Sequence, residues 1–202
     1  GDSIISTYDN KQFIARDNLY VIRDDNNILN LKVLMTILNS HLITWVFRNF
    51  INPEQGKAMA QVKRGHLIEL PIPNSEKINQ QPFIEKADLM LALSKELQLL
   101  AQKFSTYFSG QFKLEKLSGK LEKWYDVSFD EFIKEINKAI KAQKGTPLTK
   151  KDEFDWIDLF NENKQKANAL QTQIATTDKA IDAMVYELYD LTQDEIKIVE
   201  NS

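Results

Sequence analysis

The chain has 202 residues, of which 43% are hydrophobic and 27% charged, so it is long and apolar enough to fold around a core. It has no cysteine, which excludes disulfides and thiolate metal sites and fits a reducing cytoplasm. Its net charge of −3 by itself argues against nucleic-acid binding, and no apolar run is long enough to cross a membrane.

Three short segments near the N-terminus have the alternation and composition of β-strands, and a fourth follows later. They cover residues 3–7, 12–15, 19–23 and 66–72, with Asp- and Asn-rich turns after the first and third. The chain begins inside strand-like sequence, so we expect a longer protein truncated at its N-terminus. Together these segments predict an α+β fold for residues 1–78, with a small mixed or antiparallel sheet.

A strongly apolar segment at residues 31–50 predicts the central helix of this N-terminal unit. Apolar residues cover most of its circumference, so we expect it to be buried on more than one side. The predicted core residues of this helix are Leu34, Leu38, Leu42, Trp45 and Val46.

Apolar residues at seven-residue spacing predict two long helices in residues 79–202, which we expect to form an antiparallel helical hairpin. The first covers residues 83–108 and the second residues 150–190. The predicted stripes are Phe83, Met90, Leu97 and Phe104 on the first helix and Phe160, Ala167, Ile174, Ile181 and Leu188 on the second.

Shorter helices are indicated by capping signals in the same region. Ser128 and Glu131 predict an inserted helix at residues 128–143, and Thr149 with Asp152 predicts the start of the second long helix. Thr192 and Glu195 repeat the signal for a short terminal helix.

Known catalytic motifs have only poor matches in the chain. Asn52-Pro53-Glu54-Gln55 lacks the second proline and the aromatic residue with which a methyltransferase grips a flipped base. Glu195-Ile196-Lys197 resembles part of a nuclease site, but no Pro-Asp pair precedes it. The two histidines, His41 and His66, lack metal-ligand spacing. We therefore expect neither a catalytic site nor a metal site in this chain.

A basic loop, GKAMAQVKRGH, lies between the apolar helix and the fourth candidate strand. Residues 43–66 contain four Lys and Arg residues against one acid, Glu54, although the whole chain is acidic. On charge alone, a solvated surface loop explains this as well as a binding site does.

Several stretches, in this order, resemble one family. They are DSIIST, QFIARDNLYVI, LNLKVLMTILNSHLITWVFRNF, GKAMAQVKRGHLIELPIP and the tail IDAMVYELYDLTQDEIKIVE. Over nearly its whole length the chain resembles the C-terminal target-recognition (specificity) domain of TaqI-like adenine-specific DNA methyltransferases and of fused type II restriction–modification enzymes.

The resemblance implies sequence-specific recognition of double-stranded DNA. In that family the methyltransferase domain, which uses S-adenosylmethionine, lies elsewhere in the parent protein and is a partner of this one. Recognition loops use Lys and Arg for phosphates and Arg, Lys, Asn or Gln for base edges. The candidate DNA contacts are Lys57, Gln61, Lys63, Arg64 and His66, followed by Arg16 and Arg23 near the candidate strands.

An alternative hypothesis assigns the chain to the structural or interaction proteins. In it the helical hairpin mediates dimerisation or subunit docking, and the basic loop is ordinary surface. Each candidate arginine is then a surface salt-bridge partner.

Overall fold

The computed structural model describes residues 3–11, 15, 19–51 and 62–201, and all regular elements in these ranges are helical. The α-helices are α1 (Leu31–Asn39), α2 (His41–Val46), α3 (Arg64–Ile68), α4 (Gln80–Gln111), α5 (Gly119–Glu122), α6 (Phe129–Ala142), α7 (Lys150–Leu188) and α8 (Gln193–Glu200). A π-helical turn covers Phe47–Ile51, and 3₁₀ turns cover Ser75–Lys77 and Trp124–Asp126.

The predicted α+β fold is wrong, because the described residues contain no strand and the fold is all-α. Residues 3–7 and 19–23 are irregular, residues 66–72 begin inside α3, and residues 12–14 lie outside the described residues. A segment rich in strand-forming residues becomes a β-strand only when a neighbouring strand supplies the backbone hydrogen bonds of a sheet. The described residues offer no such neighbour to residues 19–23, and their apolar side chains stay exposed.

The chain divides into two compact units. The first unit comprises residues 1–90 together with 176–202, and the second comprises residues 91–175. Helices α4 and α7 each contribute one part to either unit. The predicted domain boundary near residue 78 rests on the sequence pattern, whereas these units are defined by contacts in the structure. The boundary therefore stays a prediction.

The predicted single helix over residues 31–50 is interrupted at Ser40, whose backbone is extended. The Ser40 hydroxyl donates to the Ile37 carbonyl at 2.7 Å and accepts the Ile43 N–H at 3.3 Å. One side chain therefore ends α1 and caps α2, which is why the break falls at this residue.

The core of the first unit surrounds α1 and α2. Burial of Leu38 and Leu42 is confirmed, whereas Leu34, Trp45 and Val46 are half-buried at the margin. The fully buried side chains are Val33 and Ile37, before the break at Ser40, and Ile43 and Phe47, after it. Residues from α4, α7 and α8 complete this core: Phe83, Ile181, Val185, Tyr186 and Val199.

The second unit is built around an aromatic cluster. Its fully or almost fully buried rings are Phe104, Phe108, Trp124, Phe132 and Phe160. Phe132 and Phe160 have ring centroids 4.8 Å apart, and the Trp124 indole N–H donates to the Ala101 carbonyl at 3.2 Å. Phe104 and Phe160 belong to the two predicted heptad stripes, so the stripes supply part of this core, although Ile174 is not in the cluster.

The capping signals form local hydrogen bonds at three helix starts. The Ser128 hydroxyl accepts the Glu131 N–H at 3.2 Å, but the Glu131 carboxylate pairs with Lys120 instead of completing the box. At α8 the box is complete, because Glu195 also accepts the Thr192 N–H at 2.8 Å. Thr149 and Asp152 bond in the same reciprocal way at the start of α7.

Asp182 on α7 caps α2 across a long stretch of sequence. Its Oδ1 accepts the His41 N–H at 2.8 Å, in a half-buried position. Burial, opposed by this hydrogen bond, raises the pKa of the Asp182 carboxyl above its ordinary value. The carboxylate therefore provides a needed acceptor, although its negative charge is unfavourable there.

We expect Asp182→Ala to lower the free energy of unfolding by about 0.5–2 kcal/mol, because the α2 N–H loses its acceptor. Asp182→Asn keeps an acceptor oxygen and removes the charge, so its stability at pH 7 should equal or exceed that of the unchanged chain.

The pKa of Asp182 is higher in the folded state than in the unfolded state, so this group stabilises the fold most at low pH. That stabilisation is lost as the pH rises from about 4 through the folded pKa. Urea titrations between pH 3.5 and 7 should show that loss in the unchanged chain and not in Asp182→Asn. A destabilised Asp182→Asn at pH 7 would contradict this assignment.

Candidate nucleic-acid interface

Two basic residues of the first unit, Lys63 and Arg64, are adjacent at the start of α3. Lys63 has an extended backbone and is the N-cap residue, and Arg64 is the first residue of the helix. Both side chains are exposed. Arg64 makes no ion pair with any residue in the described ranges, so its guanidinium presents its donors to solvent.

His66 connects this turn to the core of the first unit. Its Nδ1 accepts the Lys63 N–H at 3.3 Å, and its ring meets Phe47 edge-on with centroids 5.8 Å apart. Because Phe47 is fully buried, the imidazole is held by packing on one side and by the backbone on the other. Of the imidazole nitrogens, Nε2 is the one left to bond a phosphate or a base.

The inner side of α3 anchors the turn. Leu67 packs against the core, and Leu70, three residues later, is buried. Leu70 lies two residues beyond the end of α3, so the chain that leaves the helix is anchored as well. Beyond α3, the hydroxyl of Tyr189, the residue after α7, donates to the Pro71 carbonyl at 2.7 Å, and burial raises the pKa of Tyr189 to about 12. The cations therefore sit on a firmly held backbone.

The structure brings together only part of the predicted set of DNA contacts. Lys63, Arg64 and His66 share one helical turn. Arg23 lies in the irregular residues 19–23, exposed and without an ion pair to any described residue. The predicted contacts Lys57, Gln61 and Arg16 lie outside the described residues and stay predictions.

Sequence reasoning missed the residues that support the site. These residues are Phe47 and Tyr189, which are not among the predicted core or site residues. Neither had a detectable signal, because the contacts of Phe47 with His66 and of Tyr189 with Pro71 join distant parts of the chain.

Of the two partial motifs, Asn52-Pro53-Glu54-Gln55 lies outside the described residues, whereas Glu195 and Lys197 have structural roles in α8. Glu195 accepts hydrogen bonds from the Thr192 backbone and hydroxyl, and Lys197 pairs with Asp194 at 2.9 Å. The side chain of His41 is exposed at the start of α2.

The described part of the chain has neither a metal site nor a membrane-spanning helix. No group of three or more His, Asp or Glu side chains there is arranged to hold a metal ion. None of the helices in that part has both the length and the hydropathy needed to span a bilayer.

Two family models match different parts of the chain. Residues 1–72 match the TaqI-like C-terminal specificity domain, which confirms the resemblance over those residues. The match is shorter than the resemblance suggested, because it ends at residue 72 and another model covers residues 76–185. No curated protein and no solved structure matches the chain. The second match covers 110 of the 202 residues, so the chain belongs to the family described as Domain of unknown function (DUF8810), and at residues 1–72 it carries a TaqI-like C-terminal specificity domain.

Proposed function

We propose that the first unit recognises a DNA sequence for a restriction–modification enzyme. The observation that carries this proposal is the pair Lys63 and Arg64, exposed on a short helix that Leu67, Leu70 and the His66–Phe47 contact hold against the core. Specificity domains need cations on a rigid support, because base discrimination depends on the position of each donor. The match of residues 1–72 to a specificity domain supports the same function.

Different side chains of the site take different roles in this proposal. Arg64 presents a planar guanidinium that can bond two acceptors on a guanine edge, whereas Lys63 presents a point charge suited to phosphate. In the same turn, His66 presents Nε2, which can bond a phosphate or a base. Of the residues outside the described ranges, Lys57 is assigned to phosphate and Gln61 to base edges.

The partners follow from this function. The domain positions double-stranded DNA for an adenine methyltransferase domain located elsewhere in the parent protein, where S-adenosylmethionine would bind. The chain itself supplies recognition and not catalysis, in the cytoplasm, which its lack of cysteine fits.

We expect Arg64→Ala in the full-length parent to weaken binding to the target sequence by about 1–3 kcal/mol and to relax specificity at one base pair, because a paired base contact is lost. Lys63→Ala should weaken binding to all sequences alike and lower the salt slope by about one charge. Competition binding against a library of duplexes measures both effects.

Lys77→Ala is the matched control, since Lys77 is an exposed cation of the same unit outside α3. If the Lys63→Ala, Arg64→Ala double variant binds as the unchanged protein and Lys77→Ala do, with the same salt slope, the α3 turn does not contact DNA. In that case the alternative hypothesis, in which the helical hairpin mediates dimerisation, gains support. It predicts that the mass measured by sedimentation equilibrium rises with protein concentration.

A further inference from the structure

Helix α6 in the second unit buries one face and exposes lysines on the other. The buried residues are Phe132, Ile133, Ile136 and Ile140. The opposite side carries Lys134, Lys138 and Lys141, whose spacing of three and four residues places them in one row, and Lys144 follows the helix. All four are exposed, and together they are called the α6 lysine face below.

A fifth lysine is held at the C-terminal end of this row. The Gln143 side chain joins α6 to the loop after α4, since its Oε1 accepts the Glu115 N–H at 3.2 Å and its Nε2 donates to the Lys113 carbonyl at 3.3 Å. Lys113 is exposed there, beside the end of the lysine face. Tertiary structure thus brings a lysine from a separate segment to this end of the row, together with Glu115, an exposed acid.

Two carboxylates of α6 lie near this face without forming a close ion pair with it: Glu131 attracts Lys134 but pairs with Lys120, and Glu135 lies near Lys138. Lys134, Lys141 and Lys144 make no ion pair with any residue in the described ranges, and Lys138 is 3.9 Å from Glu135 with its side chain 76% exposed. Other lysines of the same unit do have close carboxylates, as in the pairs Lys120–Glu131, Lys150–Glu153 and Lys166–Glu162.

Helix electrostatics explains only part of this arrangement. Cations stabilise the last turn of a helix through its dipole, and Lys141 lies in that turn. The effect fades within one turn, so it does not extend to Lys134. Like charges spaced four apart on a helix are unfavourable by a few tenths of a kcal/mol, as for Lys134 and Lys138. A polyanion that bound along the row would remove this repulsion.

We propose that the α6 lysine face contacts the phosphate backbone of DNA without regard to sequence. From Lys134 to Lys141 the row spans about 10 Å at 1.5 Å per residue, which is about three phosphate steps along one strand of duplex DNA. This inference rests on the proposed function of the first unit, because that function brings duplex DNA, a polyanion, to the protein. It assigns a backbone contact to the segment at residues 76–185.

The test uses the 202-residue chain and a 30-base-pair duplex of random sequence, with affinity measured by fluorescence anisotropy from 50 to 200 mM salt. The variant carries Lys134→Gln, Lys138→Gln, Lys141→Gln and Lys144→Gln. We expect affinity at 50 mM salt to fall at least about tenfold and the slope of log affinity against log salt to lose about three units. The matched control removes the same charge at four other exposed lysines: Lys95→Gln, Lys103→Gln, Lys123→Gln and Lys179→Gln.

Several results would overturn the inference. They are no binding by the unchanged chain at 50 mM salt, equal losses in the variant and the control, and an unchanged slope in the variant. The Lys63→Ala, Arg64→Ala double variant, titrated in parallel, separates this inference from the proposed function. If that double variant weakens binding and the α6 variant does not, only the inference fails. Vesicles with anionic lipid serve as a second probe, and capture by vesicles but not by DNA would also overturn it.

Discussion

Phe160→Ala is expected to destabilise the second compact unit by about 3–5 kcal/mol, the range found when a buried phenylalanine is truncated. Phe160 is fully buried, and its ring lies 4.8 Å from that of Phe132 and 6.1 Å from that of Trp124. Its removal leaves a cavity among aromatic side chains that other elements hold in place, so the surroundings cannot collapse to fill it.

Phe154→Ala is the matched control for this prediction. Phe154 lies on the same helix, α7, but its side chain is 76% exposed, so the substitution should change stability by less than about 0.5 kcal/mol. Hydrogen exchange, measured on peptides from residues 91–175, reports the stability of this unit separately from the other. Similar losses of protection in the two variants would show that the aromatic cluster is not the core of the unit.

Phe47→Ala is expected to have an effect of similar size on the first unit, about 3–5 kcal/mol, with an additional effect on the candidate site. Phe47 is fully buried in the core and its ring meets that of His66. Its loss opens a cavity and also removes the packing that holds α3. We therefore expect weaker DNA binding by the folded protein as well as lower stability.

Phe50→Ala separates these effects from a general disturbance of the π-helical turn. Phe50 belongs to the same turn, and its side chain is 70% exposed. Its replacement should leave the protection of peptides from residues 62–70 against hydrogen exchange unchanged, whereas Phe47→Ala should lower it. Equal protection in the two variants would contradict the role given to the His66–Phe47 contact.

Predictions that depended on interactions between near neighbours in the sequence succeeded best. Ser128, Thr149 and Thr192 each accept a hydrogen bond from the backbone N–H three residues later, and α6, α7 and α8 begin at the next residue. A cap involves a side chain and a backbone N–H within one turn, so local sequence contains all the information that it needs.

Predictions that required a distant partner failed or were incomplete. Residues 19–23 have strand-forming composition, but among the described residues no neighbouring strand pairs with them. The break at Ser40 combines a local cap with Asp182, which lies 141 residues from His41. The inner face of the apolar helix was also misjudged in part, because distant residues of α4, α7 and α8 pack against it and the fully buried set includes Val33, Ile43 and Phe47.

The sequence by itself determined the four helices with local caps or regular stripes, the residue types at the candidate site and the resemblance to a specificity domain. Only the tertiary structure decided that the fold is all-α over the described residues, that residues 176–202 return to the first unit, and that Phe47 supports His66. It also placed Lys113 beside the α6 lysine face. The physical reason is the distance along the sequence over which each interaction acts. Helix periodicity and caps depend on residues about three to seven positions apart, so a local pattern contains them. Strand pairing, core contacts and charge clusters join distant segments, which no local pattern encodes.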